Sequence, residues 1–276
     1  MTSAGHRDGN APRIVEVEET LSTNSLALSL AADGERGPLW VSALRQTGGR
    51  GRSGRPWVSL PGNLHATLLL TPGCSVQVAP ELSLVAGVAL VEAIGAAAAG
   101  NAPAGLRLKW PNDVLVGAAK VGGILIESGA ARPGGELIVA IGVGLDLAAH
   151  PDDPGHPATH LAAHGVAVGG ETRLALLADR MAWWIRRWDE GRGFGHVRQA
   201  WEASAGPRGE KVSVHAGEAR IEGRYAGLDV SGALLVTDES GRERRFAFGD
   251  VMLLDGTPGA REAMDLGVPD ARRARE

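Results

Sequence analysis

Leu106-Arg-Leu-Lys-Trp-Pro-Asn-Asp-Val-Leu-Val-Gly-Ala-Ala-Lys-Val-Gly-Gly-Ile-Leu-Ile-Glu127 reads as three strands laid end to end, with no room for a helix between them. Leu106 to Trp110 and Val114 to Val116 are short strand-like runs, and Pro111-Asn112-Asp113 between them has the composition of a turn. Gly117 to Ala119 is the length of a hairpin connection, and Lys120 to Glu127 follows as the third strand. Glu136 to Leu147 supplies another, in which Gly142 and Gly144 mark places where a group can approach the backbone closely. Strands in succession with few helices between them favour antiparallel pairing over a doubly wound parallel sheet. The predicted fold class is α+β, with a mixed, largely antiparallel central sheet and flanking helices.

Outward from this stretch, Ile14, Val15 and Val17 suggest a short strand, and Ser22-Thr23-Asn24 precede a helical run from Ser25 to Ala32, with Ser22 or Thr23 as N-cap. Leu39 to Leu44 and Asn63 to Thr71 read as strands, Pro80 to Ala99 as a helix. From Thr172 the spacing of Leu174, Leu177, Met181, Trp184 and Trp188 is helical, and this stripe belongs to the core; Phe194 to Ala203 is a second helix. Gly206-Pro207-Arg208-Gly209 punctuates the chain. Residues 210–255 then change to short apolar or alternating runs separated by glycine turns, the pattern of a small β-barrel. The expected organisation is a tail at 1–12, a main domain at 13–206, a small domain at 207–256 and a polar tail at 257–276.

Gln46-Thr-Gly-Gly-Arg-Gly-Arg-Ser-Gly-Arg-Pro-Trp57 has too many glycines for a packed element, so it is a loop. Arg50, Arg52 and Arg55 alternate with glycines, and guanidinium forks beside free backbone N–H groups suit a phosphate or carboxylate. A solvated basic loop and an Arg/Gly nucleic-acid segment are the competing readings of the same pattern.

The composition narrows these. Over 276 residues the formal charge is −4, which argues against a general nucleic-acid binder. Cys74 is the one cysteine, excluding an internal disulfide and a cysteine-pair zinc site and fitting a reducing cytoplasm. No signal-peptide core opens the chain, and the most apolar run, Leu82 to Gly100, is interrupted by Ser83, Gly87, Glu92 and Gly95, so no membrane span is expected. His150, His156, His160 and His164 lie near Asp152 and Asp153 in a proline-rich segment, where structural or solvated histidines are expected over a metal site.

Of 28 Lys and Arg residues only three are lysines, yet Lys109 and Lys120 stand close together on either side of Pro111-Asn112-Asp113. A compact ammonium differs chemically from a guanidinium. Activation of an acyl group by a nucleotide needs cations on the α-phosphate and the reacting carboxylate, and a carboxylate that holds Mg²⁺ or orients a lysine. This stretch offers both. Neither a Gly-Lys-Ser/Thr phosphate loop nor a Gly-x-Ser-x-Gly elbow is present.

Ser22-Thr23-Asn24, Gln46 with Gly49-Arg50-Gly51-Arg52-Ser53-Gly54-Arg55-Pro56-Trp57, Lys109-Trp110-Pro111-Asn112-Asp113 and Lys120-Val121-Gly122-Gly123-Ile124-Leu125 resemble, in order and spacing, the successive signatures of biotin–protein ligases. The similarity runs from about residue 14 to 255, and Gly227-Leu228-Asp229 and Gly249-Asp250-Val251 resemble that family's C-terminal SH3-like barrel. The resemblance implies a class II synthetase-like catalytic fold, with biotin and MgATP giving biotinyl-5′-AMP and a lysine of a biotin carboxyl carrier domain then attacking the mixed anhydride. It further implies that Ser22, Thr23, Asn24, Gln46, Arg50, Gly51, Arg52 and Lys120 bind biotin. The nucleotide would lie against Arg52, Arg55, Trp57, Lys109, Asn112 and Asp146. Lys120, Arg52 and Asp113 would be catalytic, with Asp113 a candidate Mg²⁺ ligand or a group that orients the acceptor lysine. Asp146 stands where the family usually has Asn, and His160 where it usually has Ser. The residues before Ser22 are too few for the DNA-binding domain of regulatory members, so the expectation is a monofunctional cytoplasmic ligase, monomer or weak homodimer, without specific DNA or membrane binding. A lipoate or octanoate ligase shares the catalytic fold and is the nearest rival, although such relatives usually lack this Arg/Gly loop; a non-catalytic Arg/Gly nucleic-acid module is the rival from another class.

Overall fold

A computed structural model describes residues 13–130, 135–152, 157–169 and 172–254. The expected tails at 1–12 and 257–276, with Asp153 and His156, lie outside the described residues. The chain runs β1 (Ile14–Thr20), α1 (Thr23–Ala32), β2 (Leu39–Gln46), β3 (Leu64–Leu70), α2 (Glu81–Ala97), β4 (Leu106–Lys109), β5 (Asp113–Val116), β6 (Ala119–Ala130), β7 (Leu137–Leu145), α3 (Thr172–Trp188) and α4 (Phe194–Ala203). Its strands form one seven-stranded sheet in the order β1-β2-β3-β7-β6-β5-β4. Only β1 and β2 pair parallel, because α1 crosses between them; every other neighbour is antiparallel.

The stretch from Leu106 forms the β4-β5-β6 meander at one edge. Its register shifts between Val114, opposite Gly122, and Leu115, opposite Lys120, so Val121 is a bulge. A bulge re-aims the residues beside it, and here the Lys120 side chain folds over Gly123 toward β5.

Period-2 alternation sorts the sheet into two faces. Leu64, Ala66, Leu68 and Leu70 of β3, with Val139, Ile141, Val143 and Leu145 of β7, join the large core beneath α2, α3 and α4. Leu69 and Ile138 face the other way and pack with Ala27 and Ala31 of α1. On that second face α1 covers one part of the sheet, and the intervening positions are polar or glycine: Asn63 just before β3, His65 and Thr67 on β3, Gly142 and Gly144 on β7. Asn63, His65 and Thr67 are buried.

After α4, β8 (Lys211–Ala216), β9 (Ala219–Leu228), β10 (Leu234–Asp238), β11 (Glu243–Phe246) and β12 (Asp250–Leu253) form a five-stranded antiparallel sheet in the order β11-β10-β9-β8-β12. Among the described residues β11 and β12 do not pair with each other, so the expected small barrel is an open sheet here. The Gly249 carbonyl between them is taken by Arg52. Its core is continuous with that of the larger sheet: Val212, Tyr225, Leu234 and Val251 pack in one cluster with Leu108, Trp110 and Trp201. Trp110 Nε1 donates to the Gly232 carbonyl at 3.1 Å, and Arg107 pairs with Glu210 at 2.7 Å. No helix among the described residues is long and apolar enough to cross a membrane.

Candidate active site

The face that α1 leaves partly open gathers the polar residues. At the start of α1, Ser22 is the buried N-cap but makes no side-chain cap bond. Gln46, at the end of β2, accepts from the Thr23 backbone N–H at 2.9 Å and from its hydroxyl at 3.2 Å. Asn24 donates to Glu127 at 2.8 Å and to the Leu125 carbonyl at 3.3 Å, which turns its own carbonyl to the Thr67 hydroxyl at 2.7 Å. The Thr67 hydroxyl also lies 2.8 Å from that of Thr23. A Cβ on Gly142 would overlap Asn24 Oδ1, so this glycine makes the space Asn24 occupies. The result is a cluster of fixed donors and acceptors from four segments distant in sequence, suited to a small polar ligand.

The Arg/Gly loop folds as a narrow hairpin beside this cluster. Arg50 bridges to Pro56, Gly51 N–H donates to the Arg55 carbonyl at 2.7 Å, and Ser53 and Gly54 take left-handed conformations at the tip. Arg50 reaches back to Ser25 at 3.0 Å and Glu127 at 3.2 Å. Arg52 donates to the Gly249 carbonyl at 3.1 Å and to Asp250 at 3.2 Å; Arg55 donates to the same Asp250 oxygen at 2.9 Å. Each guanidinium thus already has an oxygen partner, and the C-terminal sheet supplies it for two of the three.

Lys109 and Lys120 converge on Asp113. Lys109 Nζ lies 2.9 Å from Oδ2 and Lys120 Nζ 2.5 Å from Oδ1. Although burial works to raise the Asp113 pKa, the two ammonium groups hold it below its ordinary value. Asp113 thus bridges the two ammonium groups, one on each carboxylate oxygen. Asn112 is likewise engaged: its side-chain amide donates to the Ile124 carbonyl at 2.8 Å and its backbone carbonyl accepts from Ile124 N–H at 2.9 Å, pinning the turn to β6.

Trp57 closes the floor. Its indole lies over Gly144, where a Cβ would come within 2.5 Å of the ring, and Lys120 Nζ is 5.8 Å from the ring centroid. Its Nε1–H donates to His65 Nδ1 at 3.3 Å, which sets the tautomer of a buried histidine. Burial, aided by Arg173 and opposed by the Leu60 carbonyl, pushes the His65 pKa down to about 4, so the ring is neutral. Beyond Gly144, Asp146 is buried with its Oδ1 2.7 Å from Asn63 Nδ2, and burial raises its pKa to about 7 against the pull of Lys120.

The residues singled out from the sequence thus come together as neighbouring clusters on α1, the end of β2, the Arg/Gly loop and β5–β7; Lys109 joins them through Asp113, while the Asn112 side chain is spent on β6. Thr67, Glu127, His65, Asn63 and Asp250 are additions. Polar side chains at alternating positions of an otherwise apolar strand, Asn63, His65 and Thr67, are a signal that could have found three of them. The histidine segment is separate: His150 and His160 face each other Nδ1 to Nδ1 at 2.8 Å, and Thr159 bonds His164 at 2.9 Å. Among the described residues no group of three or more His, Cys, Asp or Glu could hold a metal ion.

A sequence model of the Biotin/lipoate A/B protein ligase family matches residues 18–146. The biotin–[acetyl-CoA-carboxylase] ligase of Paracoccus denitrificans is 43% identical over 230 residues, covering 81% of this chain and 94% of that protein. Among solved structures, the biotin protein ligase from Aquifex aeolicus in complex with biotin and ATP superposes with a TM-score of 0.72 at 27% identity, covering 87% of this chain and 99% of the other. The biotin protein ligase from Leishmania major in complex with biotinyl-5-AMP has a TM-score of 0.57 at 25% identity, covering 86% and 99%.

Proposed function

The chain belongs to the biotin–protein ligase family, and we propose that the face beside α1 performs both halves of that family's reaction. It is an ATP-dependent ligase that activates biotin as its adenylate and transfers it to protein. The acceptor is a lysine of a biotin carboxyl carrier domain.

The observation that carries the assignment of roles is the Lys109–Asp113–Lys120 array, set on a rigid hairpin beside the Trp57 indole. The cluster of Thr23, Asn24, Gln46 and Thr67 holds the ureido head of biotin by hydrogen bonds, and the valerate chain directs its carboxylate toward Lys120. That carboxylate attacks the α-phosphorus of ATP, the bond to the β-phosphate oxygen breaks, and pyrophosphate leaves. Lys120 stabilises the negative charge that builds on the α-phosphoryl oxygens, and Asp113 keeps its ammonium aimed. Trp57, held by His65, lies against the adenine. In the second step a neutral acceptor lysine attacks the acyl carbon, the C–O bond to AMP breaks, AMP leaves as its phosphate, and the proton released from the nitrogen passes to solvent. Arg50 and Arg52 on the glycine loop cover the adenylate meanwhile and keep water from it.

Substrate-dependent ATP–pyrophosphate exchange with biotin, lipoate and octanoate tests this. Exchange is expected with biotin alone. Exchange driven by lipoate or octanoate, with no response to biotin, overturns it.

A further inference from the structure

Asp146 does not fit a site built for an anion. It lies two residues beyond Gly144, on the ligand face of the sheet, and is only 3% exposed. Its Oδ1 accepts from Asn63 Nδ2 at 2.7 Å. The orientation of that amide is fixed, because Asn63 Oδ1 accepts from the backbone N–H groups of Leu147, Ala148 and Ala149 at 3.0, 3.0 and 3.3 Å. Asn63 Nδ2 also donates to the Ala149 carbonyl at 2.8 Å. The amide therefore presents a donor to Asp146, and a proton on this carboxyl belongs on Oδ2. Asn63 is its side-chain hydrogen-bond partner among the described residues. As a carboxylate it would have one amide and the field of Lys120, whose ammonium is already bonded to Asp113. That is little to set against the loss of water.

We propose that Asp146 works as an uncharged acid, donating a hydrogen bond from Oδ2 to an acceptor on the nucleotide half of the acyl-adenylate. The inference rests on the ligase reading of this face. Charge opposition supports it: the phosphoryl group of an acyl-adenylate, a mixed anhydride, carries one negative charge, and an ionised Asp146 would set a carboxylate against it. Burial brings its titration to about pH 7, so the neutral form is present at and below that pH.

The charged and titratable groups on the elements packed around Asp146 are few. Lys120 on β6 is the one whose charge acts on it, and Asp113 on β5 lies behind that lysine. His65 on β3 is neutral. Arg173 of α3 is bonded to the Gly62 carbonyl at 3.1 Å. The turn Leu161–His164, whose Leu161 N–H donates to the Asp146 carbonyl at 2.9 Å, brings His160 and His164, and His160 is itself paired with His150. Burial and the neighbouring His150 and His164 lower the His160 pKa.

Asp146→Asn tests the idea, since an amide turned the same way puts a permanent donor where Oδ2–H stands and cannot ionise. Binding of a non-hydrolysable acyl-adenylate analogue is measured from about pH 6 to about pH 9. For the parent, affinity should fall above neutrality, approaching tenfold per pH unit. Asp146→Asn should hold the parent's low-pH affinity throughout, and so bind more tightly than the parent at high pH; Asp146→Ala should bind weakly at every pH. An Asn variant that follows the parent's profile, or binds as weakly as Asp146→Ala, overturns the proposal. The infrared carbonyl band of a protonated carboxyl, read in the ligand-free parent at about pH 6 and compared with Asp146→Asn, needs no ligand, and its absence from the parent also overturns the proposal. Failure of the ligase reading looks different: the parent then gives no biotin-dependent pyrophosphate exchange, whatever the state of the carboxyl.

Discussion

Asp250, at the start of β12, binds Arg52 of the glycine loop at 3.2 Å, across a sequence separation of 198 residues. The same carboxylate oxygen receives Arg55 at 2.9 Å. The loop proposed to cover the adenylate is therefore latched to the C-terminal sheet. Partly exposed ion pairs of this kind contribute at most ~1 kcal/mol to stability. Asp250→Ala should leave the melting temperature nearly unchanged while speeding amide exchange across Gly48 to Arg55. Unaltered exchange in that loop would mean that the latch does not order it.

Lys120 and Arg52 should fail differently when removed. Lys120 sits on a bulged strand and is aimed by Asp113, and loss of one such preorganised donor costs ~3–4 kcal/mol of transition-state stabilisation. Lys120→Ala should depress biotin-dependent pyrophosphate exchange by about a hundred- to a thousandfold with biotin still bound. Arg52→Gly should still form the adenylate but release it, labelling lysines on an added carrier-free protein. Near-normal exchange in the first variant, or tight adenylate retention in the second, would contradict the roles given to them.

Gly142 and Gly144 border the two proposed half-sites, one beside Asn24 and the other beside Trp57. A Cβ on Gly142 meets Asn24 Oδ1, and one on Gly144 meets the Trp57 indole at 2.5 Å. Displacing a packed group costs ~1–3 kcal/mol. Gly142→Ala should weaken biotin binding and spare ATP; Gly144→Ala should weaken ATP and spare biotin. Calorimetric titration of each ligand checks the split, and equal losses of both ligands in both variants would refute it.

The buried Asp146 should also mark the stability profile. Its folded pKa, about 7, lies above the ordinary value of 3.8, so the folded state keeps a proton that the unfolded chain gives up. Stability from this group is full below about pH 4 and declines as pH rises to about 7, beyond which the cost is constant. Three pKa units correspond to ~4 kcal/mol at most. Asp146→Asn should therefore gain on the parent as pH rises, with no relative gain in acid. Parallel melting curves at about pH 4 and about pH 8 would refute this.

The quoted stretch from Leu106 to Glu127 foretold the β4-β5-β6 meander because short connections between β-prone runs leave antiparallel pairing as the available solution. The Arg/Gly loop and the Lys–Pro-Asn-Asp–Lys spacing were likewise legible, since glycine content and clustered rare lysines are local properties. Boundaries were less so: β1 runs to Thr20 and β2 to Gln46, past the last strongly apolar residues, because ladder hydrogen bonds with each other extend both.

Sequence alone thus determined which segments are strands, helices and loops, and where glycine, arginine and lysine cluster, because turn composition, periodicity and charge act over a few neighbours. Only the tertiary structure decided that Asp113 is enclosed by two lysines, that His65 holds Trp57, and that Asp250 rather than solvent receives Arg52 and Arg55. It also decided the surroundings of Asp146, which is buried and receives the Asn63 amide. Desolvation and hydrogen-bond direction are set by groups that meet across the sheet, and no run of adjacent residues encodes them.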